Sequence, residues 1–299
     1  MIMPLKILLQ TSLLTTDKDD WSICRFSMLK NYLNSLQDDA GNPLIQAVAR
    51  DRQPDISGKD PVLSSLDIQD FDELWLFALD VGNGLSPQEQ VAIDLFHQQG
   101  GGIFTARDHQ DIGVSLCGIS SIGSYHYFHS QQNNPDDTRC RRDDHKTQSI
   151  NWPNYHSGRN GDFQKIQPVE PVHELLKNHK SPQGIVEYFP AHPHEGDIGV
   201  PPGFDHARVI ATGISQTTNR RFNIAIAGER VEDGAGNLLG RVVAESTFHH
   251  LADYNWNIAA GCPSFVEEPP GDGVQQHPER IEDIHTYVKN LALWLAPNR

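Results

Sequence analysis

Apolar and polar positions follow two spacings along the chain. Short, nearly continuous apolar runs are typical of strands, and they fall at 5–10, 44–49, 73–79, 103–106, 185–189, 208–212, 223–227 and 241–246. A helical spacing of apolar residues is found over 21–36, 86–100, 172–178 and 281–295. Strands that lack a polar face are usually covered by helices on both sides. The pattern therefore predicts an α/β fold around a mostly parallel sheet.

The segment between positions 73 and 106 carries the clearest signal. A buried strand at 73–79 is followed by Ser86, Pro87 and Glu89, which form the cap and the first turn of a helix. A glycine run then leads into the strand at 103–106. Strand, helix and strand in this order predict a right-handed βαβ unit with the two strands parallel and side by side.

The stretch 119–170 is rich in Asn, Asp, Gln, His and Arg and poor in aliphatic residues. We interpret it as an excursion from one domain that spans 1–299. A structureless loop of this length is unusual in a compact domain, so we expect local structure in it or a lid over the site. Aromatic residues here and near the chain's end would line a sugar-binding surface or pack the loops: Tyr125, Tyr127, Trp152, Tyr155, Tyr254 and Trp256.

Charge and cysteine usage narrow the classes of partner. The 299 residues carry a formal net charge of -15, which disfavours nucleic acid because phosphate binding needs a basic surface. Four scattered cysteines, none close to another, predict reduced thiols and a cytoplasmic protein. The apolar run at 6–14 is too short to span a bilayer, so no membrane association is expected. Oligomeric state is not predicted.

Two segments resemble a known family. One runs from Leu85 through the capped helix and the glycine run to Phe104, and the other is the strand 241–247 followed by Phe248, His249 and His250. They resemble the trehalose-utilisation (ThuA-like) branch of the class I glutamine-amidotransferase-like superfamily. The resemblance implies a flavodoxin-like, doubly wound sheet with a site at the carboxyl ends of its strands.

The turn that carries the catalytic nucleophile in that superfamily is altered in this chain. Glutamine amidotransferases carry a cysteine nucleophile on the turn that corresponds to the one after 103–106. Here that turn contains Arg107, Asp108 and His109, and Cys117 comes too late to replace the missing thiol. The sequence therefore predicts that the protein is not a glutaminase.

A second motif of the superfamily is present without its context. His277 and Glu279 resemble the catalytic His and Glu of the amidotransferases, but the Pro- and Gly-rich residues 269–273 before them do not form a buried strand. The strand that does run towards a histidine is 241–246. It points to His249 or His250 instead.

Asp108 and His109 are predicted catalytic residues, because polar groups that follow a buried strand lie at the edge where open sheets bind ligands. Each can act as a base, a nucleophile or a ligand. Arg107 is expected to bind the ligand. The alternative is that Asp108 caps a helix that begins near position 110.

His249, His250 and Asp253 form a second catalytic group. If a helix begins at Thr247, positions 249 and 253 share a face, so Asp253 would orient one imidazole for acid–base work. Trp256 is a predicted ligand-binding residue of the same segment. A capped helix with half-buried histidines is the alternative.

A third group follows the predicted strand at 185–189. His192 and His194 point the same way if the segment is extended, and together with Asp108 or Asp253 they would hold a divalent metal ion. Glu195 is a predicted ligand-binding residue. The alternative is an exposed turn.

These groups favour an enzyme that acts on a small molecule, with carbohydrate as one candidate. Its chemistry would be hydrolase-like or carbohydrate-modifying and would use His/Asp acid–base or metal-assisted catalysis. A non-catalytic ligand-binding or regulatory domain on the same fold is the alternative, and the missing cysteine favours it.

Overall fold

The computed structural model describes residues 3–14, 18–143 and 147–297. Its strands are β1 (Leu5–Leu14), β2 (Ile45–Arg52), β3 (Glu73–Phe77), β4 (Gly102–Ala106), β5 (His126–Tyr127), β6 (Phe163–Lys165), β7 (Gln167–Pro168), β8 (Tyr188–Pro190), β9 (Asp197–Ile198), β10 (Ala207–Ile214), β11 (Arg221–Gly228) and β12 (Val242–Glu245). Its α-helices are α1 (Ser27–Ser35), α2 (Pro61–Ser64), α3 (Pro87–Gln98), α4 (Asp253–Trp256), α5 (Gly273–Gln276) and α6 (Ile281–Leu295).

Eight strands form one mixed sheet in the order β2-β1-β3-β4-β12-β11-β10-β7. The first five run parallel, whereas β11, β10 and β7 extend the sheet in antiparallel fashion. The order of the parallel strands, with the second strand at the edge, is that of flavodoxin-like folds. The predicted fold class is confirmed.

Each face of the sheet is covered by a hydrophobic layer, and alternating side chains of β3 pack into these two layers. Trp75 and Phe77 pack with α1 and α6 on one face, and Leu74 and Leu76 pack with α3 on the other. Each fully buried side chain of this size contributes about 1.5–3 kcal/mol. Both faces of the strand must therefore be apolar, which explains the continuous run in the sequence.

The predicted βαβ unit is present. Leu74 pairs with Ile103 across the parallel β3–β4 ladder. Ser86 and Glu89 form a reciprocal capping box at the start of α3. The two strands lie side by side and are buried throughout, as predicted.

Three predicted elements differ in the structure. The region 172–178 contains only a 3₁₀ turn at Glu174–Leu176, because the His173 ring accepts from the Leu175 amide and Lys177 then bridges to Ile185 in extended form. The strand expected at 185–189 is β8, which pairs with β6 outside the main sheet. The helix expected over 21–36 begins with a 3₁₀ turn before α1.

Where the structure describes the polar stretch 119–170, it carries three short strands. β5 pairs with β9, β6 pairs with β8, and β7 joins the edge of the main sheet through β10. Among the described residues, no helix is long and apolar enough to cross a membrane.

Two buried histidines, His97 and His126, should make the fold sensitive to acid. Burial lowers the pKa of His97 and lowers that of His126 well below the usual 6.5. The unfolded chain then binds more protons than the folded one below pH 6.5, so stability falls as the pH decreases, with a limiting slope of about 1.4 kcal/mol per pH unit for each histidine. Urea unfolding of the wild type and of His126→Gln, in the presence of EDTA, measures the effect.

The difference in unfolding free energy between these two proteins should shrink as the pH falls from 7.5 to 5. His126 faces Thr105 with a 2.8 Å contact between Nε2 and the hydroxyl oxygen, which glutamine can partly retain. A difference that is constant over this pH range would contradict the prediction.

Candidate metal and active site

Three turns of the chain meet at the carboxyl edge of β4 and β12. The Phe248 amide donates to the Arg107 carbonyl at 2.9 Å, and the Gly196 amide donates to the Ser246 carbonyl at 2.9 Å. The turn after β4, the segment 192–196 and the turn after β12 are thus joined through their backbones. These backbone bonds by themselves bring the polar side chains of the three turns close together.

These turns line a cavity of about 520 Å³. Its lining residues are Asp20, Trp21, Leu79, Asp108, His109, Ile112, Thr147, Ser149, Ile150, Asn160, His192, His194, Phe248, His249, Phe265, Val266, Glu267 and Glu268. Five of the residues singled out in the sequence therefore share one cavity. Thr147, Ser149, Ile150 and Asn160 show that the polar stretch 119–170 covers part of it.

Asp108, His192 and His249 form the innermost cluster. One donor atom from each lies within 4.8 Å of the other two. His192 Nδ1 is 3.5 Å from Asp108 Oδ1, and His249 Nε2 is 3.5 Å from Asp108 Oδ2. The two imidazoles stack with ring centroids 3.6 Å apart. All three side chains are buried, and Asp108 Oδ1 makes no hydrogen bond.

Burial favours the neutral form of three imidazoles of the cavity, those of His109, His192 and His249. It lowers the pKa of His192 well below its usual value and lowers that of His109 to about 4. Burial also lowers the pKa of His249, although Asp108 partly opposes this. Burial alone would raise the pKa of Asp108, but His109 and His249 hold it below the usual value. A carboxylate beside neutral imidazoles is the state in which these groups bind a metal.

The backbone of His192 is held by Ser157. The Ser157 hydroxyl accepts from the His192 amide and donates to the His192 carbonyl, both at 2.9 Å. The Thr247 hydroxyl lies 3.3 Å from His192 Nδ1 and accepts from the His249 amide at 3.2 Å. Asn255 donates to the His249 carbonyl at 3.0 Å. The cluster is therefore fixed by hydrogen bonds to the main chain.

His194 occupies the wall beside the cluster. Its Nε2 is 2.8 Å from Glu268 Oε1, and its ring lies 5.4 Å from that of His109 and 5.7 Å from that of His192. The hydrogen bond from His194 lowers the pKa of Glu268. Sequence reasoning missed Glu268, which sits on a loop without periodicity or motif. It also missed Trp21, because the pattern assigned this residue to the apolar face of the helix predicted over 21–36.

Glu195 and His250 lie behind the cavity wall and do not line it. His250 Nδ1 is 3.1 Å from Glu245 Oε2, and its Nε2 is 3.7 Å from Glu195 Oε2. Burial opposes the charge of His250, but the bonds to these carboxylates overcome it and raise the pKa to about 9. Trp256 donates from Nε1 to the His250 carbonyl at 2.8 Å. These three predicted site residues instead support the wall from within.

Arg107 and Asp253 also lie outside the cavity lining. Arg107 is buried with its guanidinium 4.2 Å from the centre of the Phe128 ring. Asp253 accepts from the amides of Ser27 at 3.0 Å and Met28 at 2.8 Å, so it satisfies the first turn of α1. The proposed orientation of His249 by Asp253 is therefore absent.

Two alternatives from the sequence are also settled by geometry. The residues after Asp108 form a turn in which Gln110 has a φ of 51°, so no helix begins there for Asp108 to cap. His277 is half-buried and Glu279 is exposed, with 3.4 Å between Nδ1 and Oε1, and neither lines the cavity. Only their sequence resembles a catalytic pair.

No protein-family profile matches the sequence. No curated protein matches it either. Among solved structures, the chain is similar to the N-terminal domain of mmIFT52, at 13% identity over 83% of this chain and 88% of that chain, with a TM-score of 0.46.

Two further solved structures are similar to the chain. The glutaminase domain of Trypanosoma brucei CTPS with bound acivicin has 12% identity over 99% of this chain and 98% of that chain, with a TM-score of 0.43. A ThuA-like protein from Parabacteroides merdae has 14% identity over 90% of this chain and 96% of that chain, with a TM-score of 0.39. These likenesses concern the path of the chain alone. The class that fold and site define is a flavodoxin-like α/β protein with a His/Asp cluster at its sheet edge.

Replacement of Gly196 should open the site. A Cβ at this position would lie 2.6 Å from the Asp108 carbonyl oxygen and would also clash with the Arg107 guanidinium. We expect Gly196→Ala to cost about 1–3 kcal/mol of stability through overpacking. We also expect it to weaken metal binding by pushing apart the turns that carry Asp108 and His192. Thermal unfolding and metal titration measure the two effects.

Gly234→Ala provides the matched control. A Cβ at Gly234 would meet nothing within 4 Å, so this variant should leave both quantities unchanged. Equal behaviour of the two variants would contradict the role assigned to the close approach at Gly196.

Glutamine hydrolysis should be absent. Cys117 lies in a 3₁₀ turn at Val114–Gly118 and does not line the cavity. Burial raises the pKa of its thiol to about 11, which leaves little thiolate at neutral pH. Ammonia release from glutamine should match that of a protein-free blank. Release that disappears in Cys117→Ala would overturn this expectation.

Proposed function

We propose that the protein is a divalent-metal-dependent hydrolase of a small molecule. Asp108, His192 and His249 would hold the ion. The observation that carries the proposal is the position of their donor atoms, all within 4.8 Å of one another at the wall of a 520 Å³ cavity. An acid–base enzyme without metal would use the same residues, but it would not need three converging donors.

The spacing of the donor atoms supports a metal site. Ligand atoms about 2.1 Å from a tetrahedral zinc ion lie about 3.4 Å from one another. His192 Nδ1 is 3.5 Å from Asp108 Oδ1, and His249 Nε2 is 3.5 Å from Asp108 Oδ2, so each imidazole lies at about this spacing from one oxygen of the carboxylate. The orphan oxygen Oδ1 of Asp108 gains a partner if an ion is bound.

The donor chemistry also favours a catalytic ion. Two imidazoles with one carboxylate are a set found in zinc hydrolases, where the remaining position holds water. The cavity lies on the open side of the cluster, so water and substrate have access to that position. An ion bound there would lower the pKa of its water towards about 7.

The protein's own side chains would assist in three ways. Asp108 would hold the attacking water in place through its second oxygen. His194, fixed by Glu268 at 2.8 Å, would transfer a proton to the leaving group from the neighbouring wall. The polar side chains of Thr147 and Asn160 would bind uncharged polar groups of the substrate.

Metal content tests the proposal. We expect the purified protein, after incubation with Zn²⁺ and removal of the excess, to retain about one ion per chain. Asp108→Asn, His192→Gln and His249→Gln should each weaken binding by more than the roughly 10- to 100-fold that loss of a hydrogen-bonding neighbour of a ligand costs. Inductively coupled plasma mass spectrometry and competition with a fluorescent chelator measure this.

His277→Gln is the matched control, because His277 is half-buried and lies outside the cavity. It should bind metal like the wild type. Hydrolysis of a panel of esters and amides should require the ion and disappear in Asp108→Asn. Metal binding that survives in all three ligand variants would refute the site. A bound ion without hydrolysis would favour the non-catalytic ligand-binding domain.

A further inference from the structure

Asn160 belongs to the wall of the cavity and is held in place by the main chain. Its carbonyl accepts from the Gly271 amide at 2.7 Å, and the carbonyl of Gly161, the next residue, accepts from the Val274 amide at 2.9 Å. The side chain of Asn160 lines the cavity, although only 3% of the residue is exposed. Asn160 therefore presents its amide to the cavity from a fixed position.

The orientation of the Asn160 amide follows from its contact with Asn255. Asn255 Oδ1 accepts from the Gly161 amide at 2.9 Å, and Asn255 Nδ2 donates to the His249 carbonyl at 3.0 Å. A main-chain amide can only donate and a main-chain carbonyl can only accept, so these two partners determine which atom of Asn255 is the nitrogen. The same nitrogen donates to Asn160 at 3.0 Å. The atom of Asn160 that it contacts must therefore be the oxygen.

The side-chain nitrogen of Asn160 is left as a free donor. Among the residues that the structure describes, none accepts a hydrogen bond from Asn160 Nδ2. This nitrogen is not sealed inside the protein either, and the cavity is the space that the side chain lines. Buried polar groups normally have a partner. A donor in this position therefore indicates an acceptor atom in the molecule that the cavity receives.

Asn255 links this free donor to the proposed metal cluster. It donates to the carbonyl of His249, whose Nε2 lies 3.5 Å from Asp108 Oδ2. Asn160, His249 and Asp108 line the same cavity. A donor that is fixed in advance beside the reacting atoms stabilises negative charge that develops on an oxygen, because it needs no reorganisation during the reaction.

We propose that the substrate is a carboxylic ester or amide whose carbonyl oxygen accepts from Asn160 Nδ2, and that Asn255 is the positioning residue for this donor. The inference rests on the proposed hydrolase for the reaction. When water attacks the carbonyl carbon, a C–O bond forms and the π electron pair moves onto the carbonyl oxygen, where Asn160 stabilises it. The pair then re-forms the C=O bond as the bond to the leaving group breaks. The leaving group takes the proton that the water gives up.

Two fluorinated molecules test this hydrogen bond without requiring turnover. The hydrate of 1,1,1-trifluoroacetone carries two oxygens on a tetrahedral carbon, as the intermediate of hydrolysis does, whereas 1,1,1-trifluoropropan-2-ol carries one. We expect the zinc-loaded protein to bind the hydrate more tightly than the alcohol, because the second oxygen accepts from Asn160. Fluorine NMR titration measures both affinities. Equal binding of the two molecules, or binding of neither, overturns the inference.

Variants of Asn160 identify the donor. Asn160→Asp keeps the shape and an oxygen for Asn255 but removes the N–H group, and Asn160→Ala removes the whole amide. Each should reduce the preference for the hydrate by about tenfold or more, which is the effect of losing a hydrogen bond to a charged oxygen. Asn257→Asp is the matched control, because Asn257 is exposed, lies outside the cavity and can still accept from the Ala259 amide as an aspartate. A preference that survives in both Asn160 variants overturns the inference.

Asn255→Asp tests the positioning role. The new carboxylate still accepts from the Gly161 amide but cannot donate to Asn160, so the Asn160 amide should turn and direct its oxygen to the cavity. The preference for the hydrate should fall as far as in Asn160→Ala. Adding Asn255→Asp to Asn160→Ala should cause no further fall, because the first residue acts through the second. Losses that multiply in the double variant would refute the positioning role.

Hydrolysis separates this inference from the proposed function. In the ester and amide panel, Asn160→Ala should lower kcat by about 10²–10³-fold and change KM little, since such a donor acts mainly in the transition state. Zinc-dependent hydrolysis that is equally fast in Asn160→Ala and in the wild type overturns the role of Asn160 and leaves the hydrolase intact. A hydrate preference that depends on Asn160, in a protein that hydrolyses no member of the panel, refutes the hydrolase instead.

Discussion

The backbone hydrogen bond from Phe248 to the Arg107 carbonyl is the contact on which the site depends. With the bond from Gly196 to Ser246, it joins three turns that are far apart along the chain. Gly196 makes this approach possible, because any side chain there would reach the Asp108 carbonyl. The positions of the donor atoms are thus a property of the main chain. The contacts of the Asp108 carboxylate with His192 and His249 are both 3.5 Å long, so the backbone bonds contribute more to these positions.

A buried cluster of charged residues lies directly behind the three joined turns. His250 is buried between Glu195 and Glu245, and its raised pKa of about 9 means that it carries a proton at neutral pH. One buried imidazolium shared by two carboxylates costs less than two isolated charges. Because Glu195 follows His194 and His250 follows His249, the same ion cluster restrains two segments of the cavity wall. His249 and His250, which are neighbours in the sequence, therefore differ in protonation state and in role.

Sequence patterns predicted the strands in which apolar residues follow one another without interruption. β3 and β4 are buried on both faces, so a continuous apolar run was sufficient to identify them. Asp108 and His249 followed from their place after buried strands. By contrast, the apolar run at 185–189 belongs to a small separate ladder. The sequence could not predict this, because the length and the apolar character of a strand do not determine which sheet it joins. Nothing in the local sequence around Asp253 reveals that α1, from the other end of the chain, needs its carboxylate as a cap.

The distance along the chain between Asp108, His192 and His249 has a thermodynamic consequence. Closing long loops is entropically unfavourable in an unfolded chain, so the three donors can meet only after both halves of the sheet have assembled. An ion held there would bind the native state and almost none of the unfolded ensemble. The concentration of the free ion would then influence stability by mass action. The free energy of unfolding would rise by about 2.7 kcal/mol when the free ion is at a hundred times its dissociation constant. Cells that lack the ion would contain a less stable chain, which is more readily degraded.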